Sequence, residues 1–204
     1  MKIVIVGSSH AGICAGLRAL EEYPEAEIML YDKRNQVSFV SQGIISYLAG
    51  QKSVLFQSSY SSVEELKEAG LNMQMETVIE EIDTNHKKVF YRRSNSKKTK
   101  VTDYDKLILA TGSYPAMTSV PFDKKSNLYF LKSMEDAIKA EEFLATAKNI
   151  AVIGGGMTGV EVARITQDRG IPTTLIHRNK NLLNDYLDEP ASRLLESWMN
   201  AEGT

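Results

Sequence analysis

The chain has 204 residues, 24 Lys and Arg against 26 Asp and Glu, and a formal net charge of -2, a balance without general pull toward nucleic acid or anionic membrane. Its 43% hydrophobic content is that of a soluble globular protein, and no stretch approaches the apolar length of a membrane span. A single cysteine, Cys14, excludes an internal disulfide and a Cys-x-x-Cys redox pair; the apolar start at residues 1–6 is too short for a signal peptide, so a cytoplasmic location is expected.

Residues 2–6 are short, apolar and β-branched, which predicts a buried parallel strand. Gly7-Ser8-Ser9-His10-Ala11-Gly12 follows, then a helix from about Ala11 to Glu22, with Pro24 just past its end. Glu27 to Tyr31 reads as the next strand, and Asp32 stands where a carboxylate would accept hydrogen bonds from a ribose. Residues 38–50 suggest one short helix, and Ser61-x-x-Glu64 a capping box for another that stops at Gly70. Asn72 to Tyr91 alternates as two or three strands with a turn at Asp83–His86. The basic tract 92–100 resembles a phosphate-binding patch in charge alone; without interleaved aromatics it reads as a solvated hairpin tip.

Lys106 to Ala110 is again a buried-strand run, ended by Thr111-Gly112, and residues 113–127 are the best linker candidate. Ser133 caps a helix of about 14 residues, with Glu135 and Asp136 in its first turn. A strand near Asn149, the turn Gly154-Gly155-Gly156-Met157-Thr158-Gly159, a helix over 158–169 and a strand at Thr173–Ile176 form a second strand–helix–strand unit. A last helix over 190–201 places Leu194, Leu195, Trp198 and Met199 on one stripe, with Trp198 expected in the core. Cys14 is likewise expected as a small buried filler.

The two glycine turns carry the chemistry. Gly154, Gly156 and Gly159 complete a G-x-G-x-x-G between strand and helix, where a pyrophosphate would meet the helix N-terminus; the bland alternative is a glycine-rich turn with no ligand. The first turn has Gly7 and Gly12 but Ser9 in the middle, where a Cβ is expected to crowd a pyrophosphate. Two such turns suggest two cofactors and electron transfer between them. The fold expected is α/β, a Rossmann-like first domain over 1–114 with a small β-rich insertion at about 72–104, then an incomplete Rossmann-like domain over 115–204.

These residues, with Tyr31-Asp32-Lys33, Val37-Ser38-Phe39, Ser58–Leu66 and Tyr104 to Gly112, make the chain resemble the flavin-dependent pyridine nucleotide–disulfide oxidoreductases, in the branch of NADH oxidase, NADH peroxidase and coenzyme A-disulfide reductase. The resemblance implies FAD on the first unit and NADPH or NADH on the second, with hydride passing from nicotinamide to flavin. Gly7, Ser8, Ser9, His10, Ala11 and Gly12 would hold the FAD pyrophosphate, Asp32 the adenosine ribose, Val78 the adenine, Ala110, Thr111 and Gly112 the cofactor's middle, Lys132 would lie close to FAD, and Lys33 and Gln42 would also be cofactor-binding. Gly154, Gly156, Met157, Thr158 and Gly159 would hold the nicotinamide cofactor, with Tyr186 beside it.

The departure is Gln42, which stands where the family has its single redox cysteine. An amide cannot cycle through thiolate and sulfenic acid. His10 matches the active-site histidine that works beside that cysteine; here it either contacts flavin alone or is structural. After Ile176 the sequence has His177 and Arg178 in place of an acid. Those cations favour NADPH by charge; an exposed basic turn is the alternative.

The expected function is therefore NAD(P)H oxidation through FAD to oxygen, forming peroxide, or to another small-molecule acceptor; the alternative is a truncated or degenerate dinucleotide-binding module without turnover. No metal, nucleic-acid or membrane partner is expected. Full-length relatives are expected to be homodimers through a domain this chain lacks.

Overall fold

The computed structural model describes residues 1–115 and 127–204, so most of the expected linker lies outside the described residues. The chain divides into two compact units: residues 1–40 with 58–114, and residues 41–57 with 115–204.

In the first unit, β1 (Lys2–Val6), β2 (Glu27–Tyr31), β3 (Asn72–Gln74) and β7 (Lys106–Leu109) form a parallel sheet in the order β3-β2-β1-β7. The helix between the first two strands is α1 (His10–Glu22). Side chains alternate between the faces of this sheet, as strand geometry requires. Ile3, Ile5, Ile28 and Leu30 join Ile13 and Ala19 of α1 and Leu66 of α4 (Val63–Glu68) in one core cluster. Val4, Met29 and Tyr31 point the other way, into a cluster with Val89 and Tyr104. That second cluster is roofed by an antiparallel sheet of β4 (Thr77–Asp83), β5 (Lys88–Arg93) and β6 (Lys100–Asp103). The β-rich insertion thus begins at β4, while β3 belongs to the parallel sheet.

Several boundaries differ from expectation. The capping box is Ser62 with Glu65, one residue along from Ser61 and Glu64: Ser62 Oγ accepts from Glu65 N–H at 3.1 Å, and Glu65 Oε2 accepts from Ser62 N–H at 2.8 Å. Ser61 cannot take that role because Ser38 holds it, its N–H donating to Ser38 Oγ at 3.0 Å. The tract 92–100 is the end of a hairpin, residues 94–99 connecting β5 to β6, with Arg92 of β5 paired to Glu80 at 2.7 Å. Cys14 is exposed on α1, not buried, because the core face of that helix is taken by Gly12, Ile13, Gly16 and Ala19.

In the second unit, β8 (Ile150–Ile153) and β9 (Thr173–Ile176) pair in parallel around α6 (Met157–Asp168), followed by α7 (Glu189–Ala201). Val152 and Leu175 pack with Ala163, Leu182, Leu195 and Met199, while Ala151, Ile153, Thr174 and Ile176 on the other face are exposed. Trp198 is a correction to the sequence reading. It is 39% exposed and lies under the Arg164 guanidinium, 4.7 Å from the ring centroid, rather than in the core.

Residues 41–57, expected in the first domain, group with the second unit. They form α2 (Gly43–Leu48), which falls within the short helix expected over 38–50, and α3 (Lys52–Gln57), which lies beyond it. α2 packs on α5 (Met134–Leu144) and α6. Glu141 of α5 binds Arg169 at 2.8 Å and pairs with Lys52 of α3, and Arg169 also donates to the Leu48 carbonyl. Among the described residues, no helix is long and apolar enough to cross a membrane.

Candidate dinucleotide-binding turns

Each unit places a glycine turn between its first strand and the helix that follows that strand, and the two turns close in the same way. Gly7 N–H donates to the Tyr31 carbonyl at 2.8 Å, and Gly154 N–H to the Ile176 carbonyl at 2.8 Å. Both first glycines have positive φ, +111° and +117°, which L side chains rarely adopt. At the third glycine a Cβ would sit 1.8 Å from the Gly7 carbonyl oxygen (at Gly12) or 1.7 Å from that of Gly154 (at Gly159). Helix and turn therefore approach as closely as backbone allows. The middle residue is different. Ser9 at φ −87°, ψ −172° and Gly156 at φ −83°, ψ −177° share an extended conformation open to any residue. A Cβ on Gly156 would meet nothing within 4 Å. The backbone itself thus sets no requirement for glycine at Ser9.

Neither α1 nor α6 has a side-chain cap at its N-terminus, nor does α2, whereas α4, α5 and α7 are capped by Ser62, Ser133 and Asp188. The first N–H groups of a helix have no intrahelical partner, so an uncapped start suits an anion.

In the first unit the turn is anchored by Asp32, which is buried. Its Oδ2 accepts from Ser8 N–H and Ser8 Oγ, both at 2.8 Å, and from Arg34 Nη2 at 3.0 Å; its Oδ1 accepts from Arg34 N–H at 2.9 Å and Nε at 3.1 Å. Burial pushes the Asp32 carboxyl up, but the Arg34 and Ser8 hydrogen bonds outweigh it and hold it below the usual carboxylate range. Thr77 N–H donates to the Asp32 carbonyl at 2.8 Å, which brings Val78 next to the same strand end. Ala110 N–H donates to the Val6 carbonyl at 2.8 Å, and a Cβ on Gly7 would lie 2.1 Å from the Ala110 oxygen, so Ala110 packs against the turn. Thr111 and Gly112 follow, exposed, with Gly112 at φ +72°. Lys33 is exposed and lies over the Tyr114 ring at 4.7 Å from the centroid.

His10, the first residue of α1, stacks on Tyr60, ring centroids 5.1 Å apart and planes 12° from parallel. Sequence reasoning missed Tyr60, and it missed Arg34, for which the signal was a cation two residues after the acid.

The second unit holds the remaining candidates. Gln42 is the N-cap of α2, exposed, its carbonyl accepting from Ile45 N–H at 3.2 Å. Lys132 is exposed just before α5, and its N–H donates to Asp136 Oδ2 at 3.1 Å. Residues assigned to FAD by resemblance are thus divided between the units, with Gln42 and Lys132 in the second. Met157 and Thr158 open α6, both exposed. Tyr186 is exposed in the connection to α7. Arg178 is exposed, while Lys180 pairs with Glu189 at 2.9 Å. The His177 ring points inward, its Nδ1 accepting from Gly155 N–H at 3.0 Å and its Nε2 donating to the Asn181 carbonyl at 3.0 Å. Among the described residues, no group of three His, Cys, Asp or Glu side chains is placed to hold a metal ion.

The geometry agrees with what the chain is similar to. An NADH oxidase of Enterococcus faecalis is 35% identical over 196 residues, covering 96% of this chain and 44% of the relative. The water-forming NADH oxidase of Lactobacillus brevis, solved with NADH bound, has a TM-score of 0.94 at 32% identity, covering 100% of this chain and 45% of that one. An engineered water-forming NADPH oxidase, solved with NADPH bound and carrying five substitutions relative to its parent, has the same TM-score of 0.94, at 32% identity and with coverage of 100% and 45%. The chain thus spans less than half the length of these relatives. The family model described as pyridine nucleotide-disulphide oxidoreductase matches residues 1–204 in full, and the chain belongs to that family.

Proposed function

We propose that this chain is the dinucleotide-binding part of a flavin-dependent NAD(P)H oxidoreductase, with FAD on the first unit and NADPH or NADH on the second. The observation that carries this reading is the repeated turn: two uncapped helix starts, each closed by a positive-φ first glycine and a tightly packed third. A Cβ at Gly154 or Gly156 would meet nothing within 4 Å, so the second turn leaves room for a phosphate at its surface. FAD, when bound, supplies a two-electron acceptor for the nicotinamide and hands those electrons on. This chain's residues bind and orient: Gly7 to Gly12 the pyrophosphate, Asp32 the ribose, and Ala110 to Gly112 the cofactor's middle.

Gln42 decides the product. Its amide has no thiolate to be oxidised, so it could not reduce hydrogen peroxide as the family's cysteine would. The balanced reaction is NAD(P)H, a proton and O2 giving NAD(P)+ and H2O2. NADPH is the favoured reductant, because Arg178 is exposed just after β9 and residues 177–180 include no acid. The engineered NADPH oxidase supports this, since its five substitutions introduce two arginines and remove an aspartate.

The test is the absorbance spectrum of the purified protein before and after NADPH and NADH are added separately, with peroxide counted against nicotinamide oxidised. Flavin absorbance bleached by NADPH, and one peroxide per nicotinamide, are expected. A colourless protein that cannot be reconstituted with FAD refutes the reading, and water as the oxygen product refutes the role given to Gln42.

A further inference from the structure

The two turns differ in what anchors their second residue. In the first unit Ser8 N–H donates to Asp32 Oδ2 at 2.8 Å; in the second, Gly155 N–H donates to His177 Nδ1 at 3.0 Å. Ser8 follows Gly7 and Gly155 follows Gly154. Asp32 and His177 each come directly after the strand that pairs with the one leading into the turn. The same anchor is therefore built twice, once on a carboxylate and once on an imidazole.

The partners fix the tautomer. A backbone N–H only donates, so Nδ1 carries a lone pair and the proton sits on Nε2, facing the Asn181 carbonyl. The fit is close on every side. A Cβ on Gly155 would lie 2.7 Å from His177 Cγ and 2.4 Å from Leu182 Cδ2, and the Gly155 carbonyl accepts from Leu183 N–H at 2.9 Å. The ring and residues 182–183 thus clamp the loop.

The two acceptors differ in charge. A carboxylate has about four lone-pair sites and a negative charge, and Asp32 commits those sites to Ser8 and Arg34, so what it presents beyond its loop is the charge. A neutral imidazole has one acceptor, and here the loop takes it. The residues that follow β9, His177 to Lys180, include no acid to accept from a ribose 2′-hydroxyl or to repel a 2′-phosphate, and Arg178 among them stands exposed.

We propose that His177 is the positioning residue of the second turn: as the neutral Nε2–H tautomer it holds the loop in its binding shape without charge, and this makes the turn selective for a 2′-phosphorylated nicotinamide cofactor. The proposal rests on the reading that this turn binds NAD(P)H. It also reassigns His177, which serves as the loop's acceptor and not as a cation for the phosphate.

The test compares NADPH and NADH affinities of the full chain with those of His177→Asn, His177→Asp and His177→Phe, following the fluorescence of the reduced nicotinamide. Asn and Asp both keep an oxygen near the place of Nδ1; only Asp adds charge. The asparagine variant should bind both nucleotides within about threefold of wild type. The aspartate variant should lose about tenfold or more in its preference for NADPH over NADH, from charge repulsion and a regained 2′-hydroxyl acceptor. The phenylalanine variant should weaken both by about tenfold with their ratio unchanged, as a part-buried N–H loses its acceptor.

The tautomer is read separately by long-range 1H–15N correlation, simplified because the chain has only three histidines. An unprotonated Nδ1 at His177 is expected, and a protonated Nδ1 overturns the tether. So does a phenylalanine variant that binds like wild type. If that variant fails to fold, the asparagine–aspartate pair still decides: an equal NADPH preference in the two overturns the selectivity. Binding of neither nucleotide by wild type, with the Nε2–H tautomer intact, refutes the cofactor reading and the selectivity with it, and leaves the tether standing.

Discussion

Asp32→Asn should destabilise the folded chain by about 2 kcal/mol. The carboxylate accepts five hydrogen bonds, two from Ser8 and three from Arg34. If the asparagine oxygen takes the place of Oδ2 it keeps Ser8 and Arg34 Nη2, and the NH2 then faces Arg34 N–H and Nε as donor against donor. A hydrogen bond to a charged group contributes roughly 1.5–3 kcal/mol, and breaking a buried ion pair costs roughly 3–5 kcal/mol. The upper figure does not apply, because the Arg34 side chain is 34% exposed to water and its guanidinium keeps the Nη2 bond to the amide oxygen. Urea unfolding at neutral pH measures the loss as a lower midpoint at unchanged slope. The sign of the pH dependence follows from the depressed carboxyl. Its stabilisation is fully present above the unfolded carboxylate value of about 3.9 and disappears as pH falls through the lower folded value, so wild type and variant should converge in acid. A difference below about 0.5 kcal/mol at neutral pH, or one that persists in strong acid, would refute the account of Asp32 as the charged anchor of the turn.

Gly7→Ala should cost more than Gly154→Ala. Both impose the strain of a left-handed backbone, about 1–2 kcal/mol, but only at Gly7 does the new Cβ meet backbone, 2.1 Å from the Ala110 oxygen, against nothing within 4 Å at Gly154. Equal losses in urea unfolding would show that packing against Ala110 is not what makes Gly7 necessary. Tyr31→Phe should be neutral or stabilising by up to about 1 kcal/mol, since the buried hydroxyl has no hydrogen-bond partner among the described residues; a loss above 1 kcal/mol in the same assay would reveal a partner. Cys14 should react with a thiol reagent in the native protein at one equivalent, and reaction only after denaturation would put it back in the core.

The strand framework was readable because its residues satisfy local and global demands together. Ile3, Ile5, Ile28 and Leu30 are β-branched or large, and each is also a core contact. Where two local solutions compete, the sequence does not choose. Ser61 with Glu64 and Ser62 with Glu65 are equally good capping boxes, and the decision comes from Ser38, more than twenty residues away. The apolar stripe of α7 misled in the same way: Met199 is buried, but Leu194 is 73% exposed and Trp198 sits under Arg164. Residues 41–57 follow the second unit through Lys52, Glu141 and Arg169, a network of charges that no motif links. At the candidate site, the glycines and Asp32 could be found by spacing. His177 was noticed for its charge, while its role depends on the direction of the ring, which spacing does not encode.

The two turns together separate what the motif requires from what it commonly contains. First-position glycine is needed for its positive φ, and the third for the approach of the helix to the carbonyl before it. The middle position shares one ordinary conformation whether it is Ser9 or Gly156, so the first turn is a sound turn despite its broken consensus. A further requirement lies outside the glycine pattern: an acceptor after the next strand for the N–H of the second residue. Asp32 and His177 both meet it, by different chemistry. In the function proposed above, that acceptor stands where a ribose would meet the protein, so whatever meets the loop's need would also fix the charge presented to the nucleotide. Loop closure and cofactor choice would then be linked through one side chain, and a substitution there would change both unless, like asparagine for His177, it keeps the acceptor and the charge alike.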